Sequence, residues 1–120
     1  MTTYLSLEDL IALVDDLGVG PIRDLGLLDS AVHRPMTSLY GHHAYPNLDS
    51  KAAALLESLV RHRPLVDGKK LGWLAVVVFY GLNGADLDAP DDDAFDLVAG
   101  MAAGQVEADV AASVLEQWRE

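Results

Sequence analysis

The chain has 120 residues, 51% of them apolar, enough for one compact domain with a core and too few for a second. Nineteen acids against eight bases give a net charge of −11, so the protein repels polyanions and no general DNA or RNA binding is expected. The absence of cysteine excludes a disulfide framework, a thiolate zinc site and a cysteine nucleophile.

The opening Met1-Thr2-Thr3-Tyr4-Leu5 lacks the basic start and apolar block of a secretory leader. The longest apolar run, Trp73 to Tyr80, is eight residues, against the roughly 18 a membrane helix needs. A cytoplasmic protein in one domain, residues 1–120, is therefore expected. Ser6 with Asp9 predicts a capping box, followed by an amphipathic helix through Leu7, Leu10, Ile11, Val14 and Leu17 that stops at Gly18. Val19 to Asp24 reads as a turn. A short helix, roughly Gly26 to His33, follows and ends before Pro35. Met36 to Pro46 has no helical period and reads as an exposed loop.

A long helix is expected from roughly Leu48 to Arg61, capped by Asn47 or Asp49, with Ala52, Leu55, Leu56, Leu59 and Val60 buried. Pro64 to Gly68 reads as a tight loop. The next helix, roughly Lys70 to Leu82, is apolar nearly all round, which predicts a central element covered by the others. Asp91, Asp92 and Asp93 suit the start of a further helix carrying Phe95, Leu97, Val98 and Met101. After Gly104 a last helix, roughly Val106 to Arg119, is expected to face Val110, Val114, Leu115 and Trp118 inward. No strand is convincing. The reading is an all-α bundle of about six helices.

Charge singles out one stretch. Residues 51–70 carry +3 and the remainder of the chain −14. Within it lies Arg61-His62-Arg63-Pro64-Leu65-Val66-Asp67-Gly68-Lys69-Lys70, running into the start of a helix. Helix-start N–H groups and the point charges of Lys69 and Lys70 suit a phosphate, and Asp67 suits a Mg²⁺ bridging phosphates. A plain helix corner with solvated lysines gives the same pattern.

The sequence resembles the Doc (death on curing) branch of the Fic, or Fido, superfamily along nearly its whole length. The resemblance is carried by Tyr4-Leu5-Ser6-Leu7-Glu8-Asp9-Leu10-Ile11-Ala12-Leu13, by Ile22-Arg23-Asp24-Leu25-Gly26-Leu27-Leu28-Asp29-Ser30-Ala31, and by Arg34-Pro35. Lys51-Ala52-Ala53-Ala54-Leu55-Leu56, Leu71-Gly72-Trp73-Leu74-Ala75 and Leu82-Asn83-Gly84 extend it. It implies an all-α domain acting as a toxin, with an antitoxin segment docked in a groove. It also implies transfer of phosphate, or in many relatives AMP, from ATP with Mg²⁺ to a hydroxyl of a translation factor. The family motif reads His-Pro-Phe/Leu-x-Asp-Gly-Asn-Lys-Arg: the His is general base, the Asp helps hold the metal, and the remainder cradles phosphates.

The chain departs from that motif at its chemical centre. Aligned through Pro64 to Gly68, Arg63 stands at the His position, one residue of Asn-Lys-Arg is missing, and Lys70 replaces the Arg. Arginine stays protonated and is a poor base, and lysine lacks the two-pronged guanidinium grip on phosphate. In a second alignment His62, eleven steps before Trp73 as in the family, is the base. The candidate site is thus His62, Arg63 and Asp67 for chemistry and Gly68, Lys69 and Lys70 for phosphate. By the same resemblance Tyr40, His42, His43 and Tyr45 border the partner groove. Three readings follow: a toxin-type protein with attenuated or lost transfer, an active transferase using His62 or altered chemistry, or an anion site that serves something unrelated to ATP. The Asp86 to Asp93 acids lack the spacing of a calcium loop and read as solvated caps.

Overall fold

The computed structural model describes residues 1–62 and 68–120. Its elements are α1 (Leu7–Leu17), α2 (Leu25–His33), a 3₁₀ turn (Arg34–Met36), β1 (Ser38–Leu39), β2 (His42–His43), α3 (Leu48–Val60), α4 (Lys69–Leu82), α5 (Asp91–Ala102) and α6 (Ala108–Trp118). The architecture is the expected all-α bundle.

The helix starts follow the sequence closely. Ser6 Oγ accepts from Asp9 N at 3.1 Å while Asp9 Oδ2 accepts from Ser6 N at 2.9 Å, the reciprocal pair the spacing predicts. Gly18 ends α1 in the left-handed region, at φ 64°. Asp24 caps α2, which begins at Leu25. As expected, α2 ends before Pro35, which sits within the 3₁₀ turn that follows. Of the two candidate caps for α3, Asn47 does the work, accepting from Ser50 N at 2.8 Å.

Three expectations are corrected. The Met36 to Pro46 loop contains a small antiparallel hairpin, Ser38 opposite His43 and Leu39 opposite His42. Its two-residue turn, Tyr40-Gly41, has φ 52° and 79°, the doubly positive pair that matches strand twist. Two-residue strands, exposed on both faces, leave no alternation to read. Second, the covered helix is α3 rather than α4. All of Asp49 and Lys51 to Val60 are buried, whereas α4 exposes Val77 and Leu82. The run Ala52-Ala53-Ala54 lets neighbours approach, and α3 packs on the 3₁₀ turn, α2, α4, α5 and α6. Third, Val110 faces solvent at 53% exposure, because the inward stripe of α6 is Ala111, Leu115 and Trp118.

Phe79 and Tyr80 are buried as expected, and Trp73 and Trp118 meet edge to face at 6.2 Å. Beyond α6, Arg119 pairs with Leu87 in an isolated bridge, and Glu120 N donates to Asp86 O at 2.9 Å. No helix among the described residues is long and apolar enough to cross a membrane.

Candidate functional site

The site forms where the end of α3 meets the start of α4. Gly72 sets that approach: a Cβ there would lie 2.6 Å from Val60 Cγ1 and 3.1 Å from Leu56 Cδ1. Val60 lies two residues before His62 and Gly72 four after Gly68, so the crossing brings His62 and the Gly68-Lys69-Lys70 corner to one end of the bundle. Gly68 is buried at the N-cap of α4. The first bond of the helix is Gly72 N to Gly68 O at 2.7 Å, and Gly68, at the N-cap, has no side chain to cap the turn. Its leading N–H groups therefore point outward with partial positive charge. Lys69, Lys70 and His62 are exposed.

A groove of about 530 Å³ opens beside this corner, between α4 and α5. Lys69, Lys70 and Asp91 form its polar edge, and Trp73, Phe95 and Val98 are among its apolar lining. The sequence places Phe95 on a helix with core residues, yet the residue is 69% exposed and lines this groove. Trp73 is held in place by Trp118. Cations at the mouth and aromatic rings in the floor suit a ligand with an anionic head and a flat ring system.

Arg63 and Asp67 lie outside the described residues. The proposed partner residues divide into two groups. Tyr40 at the hairpin tip is fully exposed, and His42 and His43 beside it are exposed. As neighbours on a strand, the two imidazoles face opposite sides. Tyr45 is half-buried, and its hydroxyl accepts from Arg34 Nε at 2.9 Å. Among the described residues no group of three or more His, Asp or Glu is placed to hold a metal ion.

Sequence reasoning missed the charges inside. Glu57, 7% exposed, accepts from Arg34 Nη2 at 2.6 Å on one oxygen and from Arg61 Nη1 at 2.9 Å on the other. The Glu57–Arg61 half, at i and i+4 on a helix, was legible in the spacing; Arg34 was not. Burial works against the Arg34 charge, but hydrogen bonds to Tyr45 and Glu57 outweigh it and hold the guanidinium above its ordinary range. Lys51 Nζ donates to Tyr45 O at 2.5 Å and to Pro35 O at 3.4 Å, beneath the hairpin. At the other end of α3, Asp49 Oδ1 accepts from Tyr80 Oη at 2.7 Å and from Arg119 Nε at 3.0 Å.

No family model matches the chain. Over 96 residues it is 47% identical to a protein named Toxin Doc from Mycolicibacterium smegmatis (strain ATCC 700084 / mc(2)155). The match takes in 77% of this chain and 73% of that protein.

Proposed function

The chain belongs to the Doc family of toxins, and from that membership we propose a toxin that keeps a nucleotide-phosphate corner while its transfer chemistry is attenuated or lost. Its partner is the antitoxin of a toxin–antitoxin pair. The observation that carries the reading is the start of α4, which places Lys69 and Lys70 at the mouth of a groove floored by Trp73 and Phe95. Phosphates suit the lysines and helix-start N–H groups, and a base suits the aromatic floor.

The ancestral reaction, phosphate or AMP transfer from ATP to a hydroxyl of a cytoplasmic translation factor, needs a base on that hydroxyl. Arg63 stands where the family places it and carries no lone pair to accept a proton. Mg²⁺ would neutralise phosphate charge between ATP and Asp67. The exposed hairpin residues Tyr40, His42 and His43 supply a contact surface for a protein partner. The second reading keeps an active transferase with His62 as base, and it is favoured by the exposure of that imidazole at the end of α3.

Calorimetric titration with ATP and Mg²⁺ tests the proposal. Wild type is expected to bind, and the Lys69→Ala, Lys70→Ala double variant to lose at least about tenfold in affinity, two charge-assisted contacts being removed. No binding at millimolar nucleotide would overturn the phosphate corner. Stoichiometric modification of a translation factor that His62→Ala abolishes would establish the second reading instead.

A further inference from the structure

Glu57 touches neither the groove nor the hairpin, yet it ties both to α3. Each carboxylate oxygen takes a different arginine, and each arginine holds a different segment. Arg34, on the Oε1 side, donates to the Tyr45 hydroxyl at 2.9 Å, and to Ala54 O and Ser58 Oγ on α3. Tyr45 directly follows Ala44, whose N–H bonds Thr37 O at the base of the hairpin that carries Tyr40, His42 and His43. Arg61, on the Oε2 side, donates from Nε to Met101 O at 3.0 Å and from Nη2 to Val106 O at 2.7 Å. Met101 sits in the last turn of α5, whose Val98 lines the groove. Arg61 is also the residue directly before His62.

Holding α3 in place does not call for this arrangement. A buried carboxylate with two guanidinium partners costs desolvation, and an apolar side chain of similar volume is commonly as stable or more so. What the charges add is geometry, because two forked cations on one carboxylate fix three segments against one another. We propose that Glu57 is a positioning residue: through Arg34 and Arg61 it couples the hairpin to the His62 end of α3 and to the α5 wall of the groove. A partner that shifts the hairpin thereby shifts the groove wall, through a contiguous chain of bonded groups. The inference rests on the reading above for what the hairpin and groove bind, but the coupling itself is measurable without either ligand.

Amide hydrogen exchange on the full chain provides the test. The reporters are Ala44 N–H, bonded to Thr37 O in the hairpin, and Gln105 N–H, bonded to Gly100 O at the end of α5. Glu57→Gln keeps the shape and removes the charge, and both reporters are expected to exchange about tenfold faster. Tyr45→Phe disturbs only the hairpin end and needs no change in the core. It is expected to accelerate Gln105 as well, by about threefold. Val76→Ala, a core change away from Glu57, Arg34 and Arg61, serves as control, its loss of global stability being measured by denaturant titration beside that of Tyr45→Phe and the exchange rates compared at equal loss. Acceleration of Gln105 by Tyr45→Phe beyond that control supports the coupling. The same exchange at Gln105 in Tyr45→Phe as in wild type, or equal acceleration by Val76→Ala, overturns it. The ATP titration decides the site reading separately: coupled exchange in a protein that binds no nucleotide sinks that reading and upholds this one.

Discussion

Asp49 receives two partners from distant parts of the chain, Tyr80 from α4 and Arg119 from beyond α6. Burial, and then the hydrogen bond to Asp49, push the Tyr80 phenol well above its ordinary value of 10.0. The folded state therefore keeps its proton where the unfolded chain loses it. That contribution to stability is complete below pH 10 and falls as pH climbs toward the folded-state value. In alkaline denaturation series above pH 10, wild type is expected to lose stability more steeply than Tyr80→Phe. Parallel curves would mean that Tyr80 ionises as in the unfolded chain. At neutral pH, Tyr80→Phe is expected to cost about 1–3 kcal/mol in chemical denaturation, since Asp49 loses a buried donor. The sequence hides this pair. Asp49 lies where a helix cap was equally plausible, and Arg119 is 70 residues away. A charged residue on a helix reads as a solvated face unless its partner is known, which is also why the sequence does not mark Lys51 and Glu57 as buried.

At the scale of elements, the legible features were those written within a few residues: the Ser6–Asp9 box, the Gly18 stop, the Asn47 cap and the three-aspartate start of α5. The exchange of roles between α3 and α4 was not, because it depends on what covers each helix. The three alanines of α3 allow close packing from several sides, while the valines of α4 in part face outward. At Gly72 the two helices approach too closely for a Cβ to fit without movement. Gly72→Ala gains helix propensity worth up to about 1 kcal/mol, but forces Val60 and Leu56 to move, at about 1–3 kcal/mol. A net loss of about 1 kcal/mol in denaturant titration is expected, and Val60→Ala in the same chain should recover part of it. Failure of Val60→Ala to recover any would place the strain elsewhere.

For the molecule as a whole, α3 is the axle on which α2, α4, α5, α6 and the 3₁₀ turn are mounted, with a charged cluster at each end. The Arg119 guanidinium, held above its ordinary range first by its hydrogen bond to Asp49, fastens the segment after α6 to that axle. It remains partly open to solvent, so Arg119→Ala is expected to cost about 1 kcal/mol rather than the several a sealed pair would lose. Thermal denaturation of that variant checks the figure, and a loss of several kcal/mol would mean that water does not reach Asp49 once the arginine is gone. The family was legible because its signature runs the length of the chain. The candidate corner was legible only in part: Lys69 and Lys70 stand out as charge, whereas the groove beside them is made by Phe95 and Trp73 from separate helices.

His62, Lys69 and Lys70 lie on the outside of the corner, beyond the crossing that Gly72 seals. Exposed side chains of this kind contribute little to folding, and their replacement usually shifts stability by no more than about 0.5 kcal/mol. Mutational tolerance is therefore uneven across this molecule. The axle resists change, whereas His62 and Lys70 tolerate exchange without unfolding the chain. A chain 47% identical to a named toxin over 96 residues and the side chains at this corner can, on this physics, vary independently.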